Sequence, residues 1–356
     1  MKKVGLITIH DTINFGSQLQ TFSLYKAVES LGIDIELIDY KCEAISKRES
    51  TLPLSDVKSI KDFIKFLILH KNLEKRKETF HKFMNENMNI TTKTYDKTTI
   101  KNTNKLFDTF LVGSDIVWGL NITGNDYTYM LDFVEDGKKR ISFSSSVGTK
   151  WENTESLNVK KCLEKFDEIA VRESDAAEWI RQLVKTDVRV TCDPTMLWDR
   201  KFWENYIEKK QTKEKYVLVY MSDPENKCVK QAIKYGKEHK IPVYYINYRA
   251  PIWGAIDKRP TSLEEWLELF YNAEIVFSAS YHGLLFSLYF QKNVYYFNWV
   301  NKSRMDSLSK ALGIEDRDGL ANNIEKDLPM EYDTINKKLD SIRSESWKIL
   351  RRMLNE

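Results

Sequence analysis

What most constrains the fold of this 356-residue chain is an alternation, met twice in succession, of short apolar runs with amphipathic helical stretches. Val4–Ile9 (VGLITI) is a continuous apolar run, the pattern of a strand buried on both faces. A polar loop (HDTINFGSQLQ) follows, then apolar residues at helical spacing over Gln18–Leu31, stopped by Gly32. Ile33–Tyr40 (IDIELIDY) alternates like a second strand, which completes a βαβ unit. Further strands are predicted at Phe107–Val112, Arg140–Ser144, Glu168–Val171 and Val188–Thr191. Ser174 is predicted to cap the helix beginning DAAEWIRQL. The proline-containing segment CDPTMLWD breaks the rhythm, and a second alternation then starts at Tyr216–Met221 and runs to a predicted helix at Asp306–Leu312.

The expected fold class is therefore α/β: two Rossmann-like, doubly wound domains facing a cleft. Their predicted spans are 1–195, with an inserted helical hairpin near 55–90, and 196–330, followed by an amphipathic helix over 331–356.

Composition narrows the function by exclusion. The 55 basic and 52 acidic residues leave a formal charge of only +3, which gives no reason to expect a nucleic-acid partner. Cys42, Cys162, Cys192 and Cys228 are too scattered for a zinc site or a disulfide framework and read as thiols in a reducing cytoplasm. The start of the chain runs into charged sequence too soon for a signal peptide, and no apolar run is long enough to span a membrane. No metal or cofactor is expected.

Ligands of doubly wound sheets bind beyond the carboxyl ends of the strands, so the residues there are the candidates. After the first strand come Asn14, Gly16 and Gln18, where a glycine and a helix N-terminus suit a phosphate or carboxylate; an ordinary turn capped by Asn14 explains them equally well. Gly113, Ser114 and Asp115 follow the strand FDTFLV, with Asp115 suited to a sugar hydroxyl and a helix cap as the alternative. Arg172 ends a buried strand and needs an anion, either Glu173 or a ligand carboxylate or phosphate. In IVFSASYHGLLFSLYFQKNVYYFN, Ser280, Tyr281 and His282 mark a strand-to-helix turn. A histidine there can exchange a proton near neutrality, although histidines satisfied by a backbone carbonyl are common. His10 is an accessory candidate, while His70, His81 and His239 read as surface residues.

Taken in order, the segments KVGLITIHDTINFGSQLQTFSLYKAVESLG, FDTFLVGSDIVW, RISFSSSVG, IAVRESDAAEWI, VTCDPTMLW, VFSASYHGLLFSLYFQKNVYYFN and SRMDSLSKALGIEDR resemble the polysaccharide pyruvyl transferase family. The resemblance runs from the N-terminus to about Arg317 and implies a GT-B-like fold, with acceptor binding in the first domain and donor binding in the second. It implies transfer of the enolpyruvyl group of phosphoenolpyruvate to a sugar, on a lipid- or nucleotide-linked glycan precursor, to give a cyclic ketal. Arg172 then corresponds to an anion-binding arginine, His282 to the family's histidine and Asp115 to an acidic position. Some members carry an arginine where this chain has Ser280; Arg304 or Arg249 is the candidate replacement. A GT-B-like glycosyltransferase using a nucleotide sugar and a non-catalytic glycan-binding protein are the alternative readings. The expected location is cytoplasmic, with peripheral contact at the inner membrane face left open through the 55–90 segment.

Overall fold

The computed structural model describes residues 3–49, 59–207, 214–248, 251–298, 302–322, 324 and 330–355, without the side chains of 60–69, 302 and 303. Arg249 and residues 55–58 of the predicted insertion lie outside the described residues. The chain divides into two compact units: one of Met1–Leu54, Phe80–Leu197 and Ile342–Glu356, the other of Ser55–Thr79 and Trp198–Ser341.

The first unit is built on β1 (Val4–Ile7), α1 (Phe15–Glu29), β2 (Ile35–Leu37), α2 (Glu43–Arg48), the C-terminal part of α3 (Ile60–Asn87), β3 (Thr109–Val112), α4 (Leu120–Thr123), β4 (Lys139–Ser145), α5 (Asn153–Leu163), β5 (Glu168–Val171), α6 (Ser174–Arg181) and β6 (Val188–Val190). Its six strands are all parallel, in the order β2-β1-β3-β4-β5-β6. The central strands are apolar because helices cover both faces of such a sheet. The order reverses between β1 and β3, and that reversal opens a crevice at their carboxyl ends. Around the sheet lies a core rich in aromatic side chains, including Phe107, Phe110, Trp118 and Tyr129. The Trp118 indole satisfies its one donor on the Tyr129 carbonyl at 2.8 Å.

The second unit contains α7 (Arg200–Glu204), β7 (Val217–Tyr220), α8 (Lys227–His239), β8 (Val243–Ile246), β9 (Ile256–Lys258), α9 (Leu263–Asn272), β10 (Ile275–Ser278), α10 (Tyr281–Tyr289), β11 (Asn293–Tyr296), α11 (Lys302–Leu312) and the start of α12 (Tyr332–Asn355). Its parallel sheet has the order β11-β10-β7-β8-β9, so its reversal falls between β7 and β10. Phe286 of α10 meets Trp203 edge-on at 4.8 Å and Trp266 at 5.1 Å between ring centres. Such pairs contribute about 0.5–1.5 kcal/mol each beyond their buried area, and they fix the helix that carries the histidine.

Several local expectations change. The predicted hairpin near 55–90 is, over its described length, one continuous helix, α3, whose residues through Thr79 belong to the second unit. No turn residue interrupts its helical spacing, so nothing folds it back. Ser174 is the first residue of α6; the capping position is Glu173, which makes no side-chain capping bond and turns toward Arg172 instead. Strand β9 was not predicted, since IDK is too short and polar to show alternation. The C-terminal helix is shared, its residues from Ile342 onward belonging to the first unit. No described helix is long and apolar enough to cross a membrane.

Candidate functional site

In the first unit the polar residues predicted at strand ends converge on the β1/β3 crevice. Helix α1 leads into it and is buried almost all round, polar residues included. Asn14 is its N-cap, and the Asn14 side chain accepts the Ser17 amide at 3.2 Å. Gly16 lies in the first turn, and the Gln18 amide nitrogen donates to the carbonyls of His10 and Thr12 at 2.5 and 2.8 Å, pinning the preceding loop. The capping and turn-forming roles thus engage Asn14 and the Gln18 amide group. The Gln18 carbonyl oxygen is buried and makes no protein hydrogen bond.

Across the crevice, Asp115 adopts a left-handed backbone at φ 70°. Its carboxylate accepts the neighbouring Ile116 amide at 2.8 Å and the Ser17 hydroxyl. Neither Ser114 nor Asp115 caps a helix; the next one, α4, is entered from Gly119. Gly113 is required on steric grounds, since a Cβ there would stand 2.0 Å from the Phe143 carbonyl oxygen, on a backbone at φ 140° that disfavours side chains.

Beneath this pair lies a buried polar network. Ser114 donates to the Gln20 carbonyl oxygen at 2.6 Å, and Arg172 donates to the same oxygen at 3.2 Å. The Arg172 guanidinium, with only 2% of its side chain exposed, pairs with Asp193 at 2.9 Å and Glu173 at 3.1 Å. Asp193 is fully buried and accepts the Thr195 amide and hydroxyl through its other oxygen, at 3.0 and 2.7 Å. Glu173 accepts Ser146 at 2.7 Å. The anion that Arg172 needs is therefore supplied from within the protein. At the β2 end, the His10 imidazole lies 3.2 Å from Asp39. Burial pushes the Asp39 carboxyl upward, but hydrogen bonds from His10 and Thr94 outweigh it and hold it below its ordinary range.

In the second unit, β10 runs directly into α10 at the β7/β10 crevice. Ser278 donates to the Tyr220 carbonyl at 3.1 Å and accepts the Ser280 amide at 3.1 Å, which closes the turn. Ser280 is the N-cap of α10, its hydroxyl accepting the Gly283 amide at 3.4 Å. A Cβ on Gly283 would meet the Ser278 hydroxyl at 2.1 Å and the Tyr220 ring at 2.9 Å, so a glycine lets the helix start flat against the sheet. Burial pushes the Tyr220 phenol up to about 12, so it stays neutral. Tyr281 and His282 occupy the first helical turn, half-buried, with their rings edge to face at 5.6 Å. The Arg304 guanidinium of α11 stacks over Tyr281 with its centre 5.8 Å from the ring centre. Asn298, just past β11, donates to Asp306 of α11 at 2.5 Å.

The candidates thus fall into two groups. Asn14, Gly16, Gln18, Gly113, Ser114, Asp115 and Arg172 belong to the first unit, and Ser280, Tyr281, His282 and Arg304 to the second. Sequence reasoning weighed only the backbone amide of Ser17 and passed over Gln20, Asp193 and Gly283. Asp193 stood in view: it follows β6 as Arg172 follows β5, and an acidic residue at a neighbouring buried strand end is the natural partner for an arginine.

Two parallel sheets, each with polar residues gathered at its switch point, define a two-domain α/β protein of the GT-B-like class. A family model for polysaccharide pyruvyl transferase matches residues 14–301, most of the chain, and the chain belongs to that family. Arg304 lies just beyond the matched span. No curated protein matches the chain in sequence. Among solved structures it is similar to the UDP-GlcNAc 2-epimerase of Neisseria meningitidis bound to UDP-GlcNAc, at 11% identity, TM-score 0.56 and 99% coverage of both chains. It is also similar to S. aureus MnaA with UDP, at 13% identity and TM-score 0.53, covering 100% of this chain and 97% of the other. At such identities the likeness is one of fold.

Proposed function

We propose that the protein transfers the enolpyruvyl group of phosphoenolpyruvate to a sugar of a glycan precursor and closes it into a pyruvate ketal. The observation that carries this reading is the turn from β10 into α10, where His282 stands in the first helical turn with Tyr281 and the Arg304 guanidinium beside it. A helix N-terminus with a cation beside it suits a donor that bears both a phosphate and a carboxylate. In the first step His282, protonated, delivers a proton to the methylene carbon of phosphoenolpyruvate, leaving an oxocarbenium-like carbon. One sugar hydroxyl adds there, inorganic phosphate departs with the C–O bonding electrons, and a second hydroxyl closes the ring. Two hydroxyl protons are released, one of which restores the histidine.

Arg304 takes the place of the arginine that some family members carry at the position of Ser280, which here caps α10. Asp115, held by Ser17, orients or deprotonates the acceptor hydroxyl. Arg172 organises the acceptor unit from beneath instead of binding the donor. The reaction belongs on the cytoplasmic side, where phosphoenolpyruvate is available.

Phosphate release from phosphoenolpyruvate over a panel of sugars and glycan lipids tests the proposal. His282→Ala is expected to lower kcat by about 10²–10⁴-fold, the usual contribution of a general acid, with the melting temperature unchanged. Arg304→Ala is expected to raise the KM for phosphoenolpyruvate. Thermal stabilisation by a nucleotide sugar with none by phosphoenolpyruvate would move the protein to the glycosyltransferases, and glycan binding with no donor consumed would make it a binding protein.

A further inference from the structure

Helix α8 carries Lys227, Lys230, Lys234 and Lys237, three or four residues apart, and Lys240 stands at its C-cap. All five are exposed, whereas Cys228, Val229, Ala232, Tyr235 and Gly236 pack inward. The helical period therefore gathers the lysines into one basic stripe about 20 Å long. Among the described residues, Glu225 lies 3.0 Å from Lys227 and Glu238 lies 3.9 Å from Lys234. The stripe keeps a clear positive excess in a chain whose overall charge is only +3.

A second, independent feature lies against the same helix. In the loop over 251–255, Gly254 turns at φ 91° against α8, where a Cβ added to it would stand 3.1 Å from the Ile233 side chain. Ile252 and Ala255 anchor the loop in the apolar core. The residue between the anchors, Trp253, is 87% exposed, and Lys237 lies 5.2 Å from the centre of its ring. A large aromatic ring in water has no packing reason to be there, yet the loop is firmly seated and holds it out beside the lysines. Tryptophan beside lysine is the combination that settles at the headgroup level of a bilayer.

We propose that α8 and the loop bearing Trp253 form a contact surface for an anionic phospholipid bilayer, with the lysines drawn to the headgroups and the indole lodged among them. The chemistry favours lipid over nucleic acid: one exposed indole with no partner ring among the described residues offers no base-stacking platform, while an amphipathic ring set out on a loop suits the bilayer boundary. Each lysine near an anionic leaflet strengthens binding by roughly 5-fold.

Co-sedimentation of the full chain with phosphatidylcholine vesicles, and with vesicles containing an equal share of phosphatidylglycerol, tests the surface. The protein is expected to bind only the anionic vesicles and to be released by salt. Replacing Lys230, Lys234 and Lys237 together by Gln is expected to weaken that binding about 100-fold and to flatten its salt dependence. Trp253→Ala is expected to weaken it while leaving the salt dependence as it was. All these side chains are exposed, so an unchanged melting temperature verifies the fold of each variant. Failure to distinguish the two kinds of vesicle would overturn the proposal. So would anionic binding that survives the triple substitution, or a preference for single-stranded RNA over the vesicles.

Discussion

Arg172, Gln20, Ser114, Asp193 and Glu173 answer one another's charges and lone pairs at the carboxyl end of the first sheet, almost wholly out of water. At the corresponding end of the second sheet, Tyr281, His282 and Arg304 stand half-buried in the first turns of two helices, with aromatic packing behind them. Two parallel sheets of different strand order have thus been furnished in two ways. In the first unit the charged groups are spent on rigidity, and above them Ser17 donates to Asp115. In the second unit the rigidity comes from rings, and the titratable and cationic groups stay half-buried at the helix starts. A buried arginine is therefore weak evidence of a binding role until its carboxylates have been looked for.

The sharpest way to break this contrast is to remove the same residue type from each side. Arg172→Ala would leave two buried carboxylates uncompensated, a loss of about 3–5 kcal/mol. At a few degrees per kcal/mol for a unit of this size, the melting temperature should fall by roughly 10 °C, whereas Arg304→Ala should scarcely move it. Calorimetry on the two variants decides the matter, and equal, small shifts would end the distinction between the two units.

Gly283→Ala probes the second unit. The added methyl meets Ser278 and Tyr220 well inside contact distance, so about 1–3 kcal/mol of overpacking is expected, together with a loss of turnover as the first turn of α10 is displaced. A variant with full turnover would show that the tight start of the helix is unnecessary.

The smallest effect concerns Asp39. Its folded carboxyl lies below the ordinary value of 3.8, so its contribution to stability is full above that value and fades as the pH falls through the depressed one. The stability gap between wild type and Asp39→Asn should hold from neutrality down to about pH 4 and close below it. A gap that widened in acid would reverse the sign of the coupling to His10 and Thr94.

Much of this architecture was legible in the residues. The buried parallel strands announce themselves as apolar runs such as VGLI and TFLV, and the turn at Ser280–His282 shows as a polar cluster between two apolar segments. What stayed hidden was long-range pairing. Ser17 meets Asp115 across 98 positions, and Arg172 meets Gln20 across 152; local periodicity carries no information about such partners. Ser280 illustrates the converse: its capping bond spans three residues and follows from its type and place.

The returning end of α12 has a consequence for how the molecule is made. Arg343 and Trp347 donate to the carbonyls of Met196 and Leu197 at 2.9 and 2.8 Å, Ser346 receives the Cys192 amide at 3.0 Å, and Leu350 and Met353 are fully buried. These residues follow the whole second unit in the chain. On the ribosome, the half of the protein that begins first must therefore wait, its core still open, until the other half has emerged.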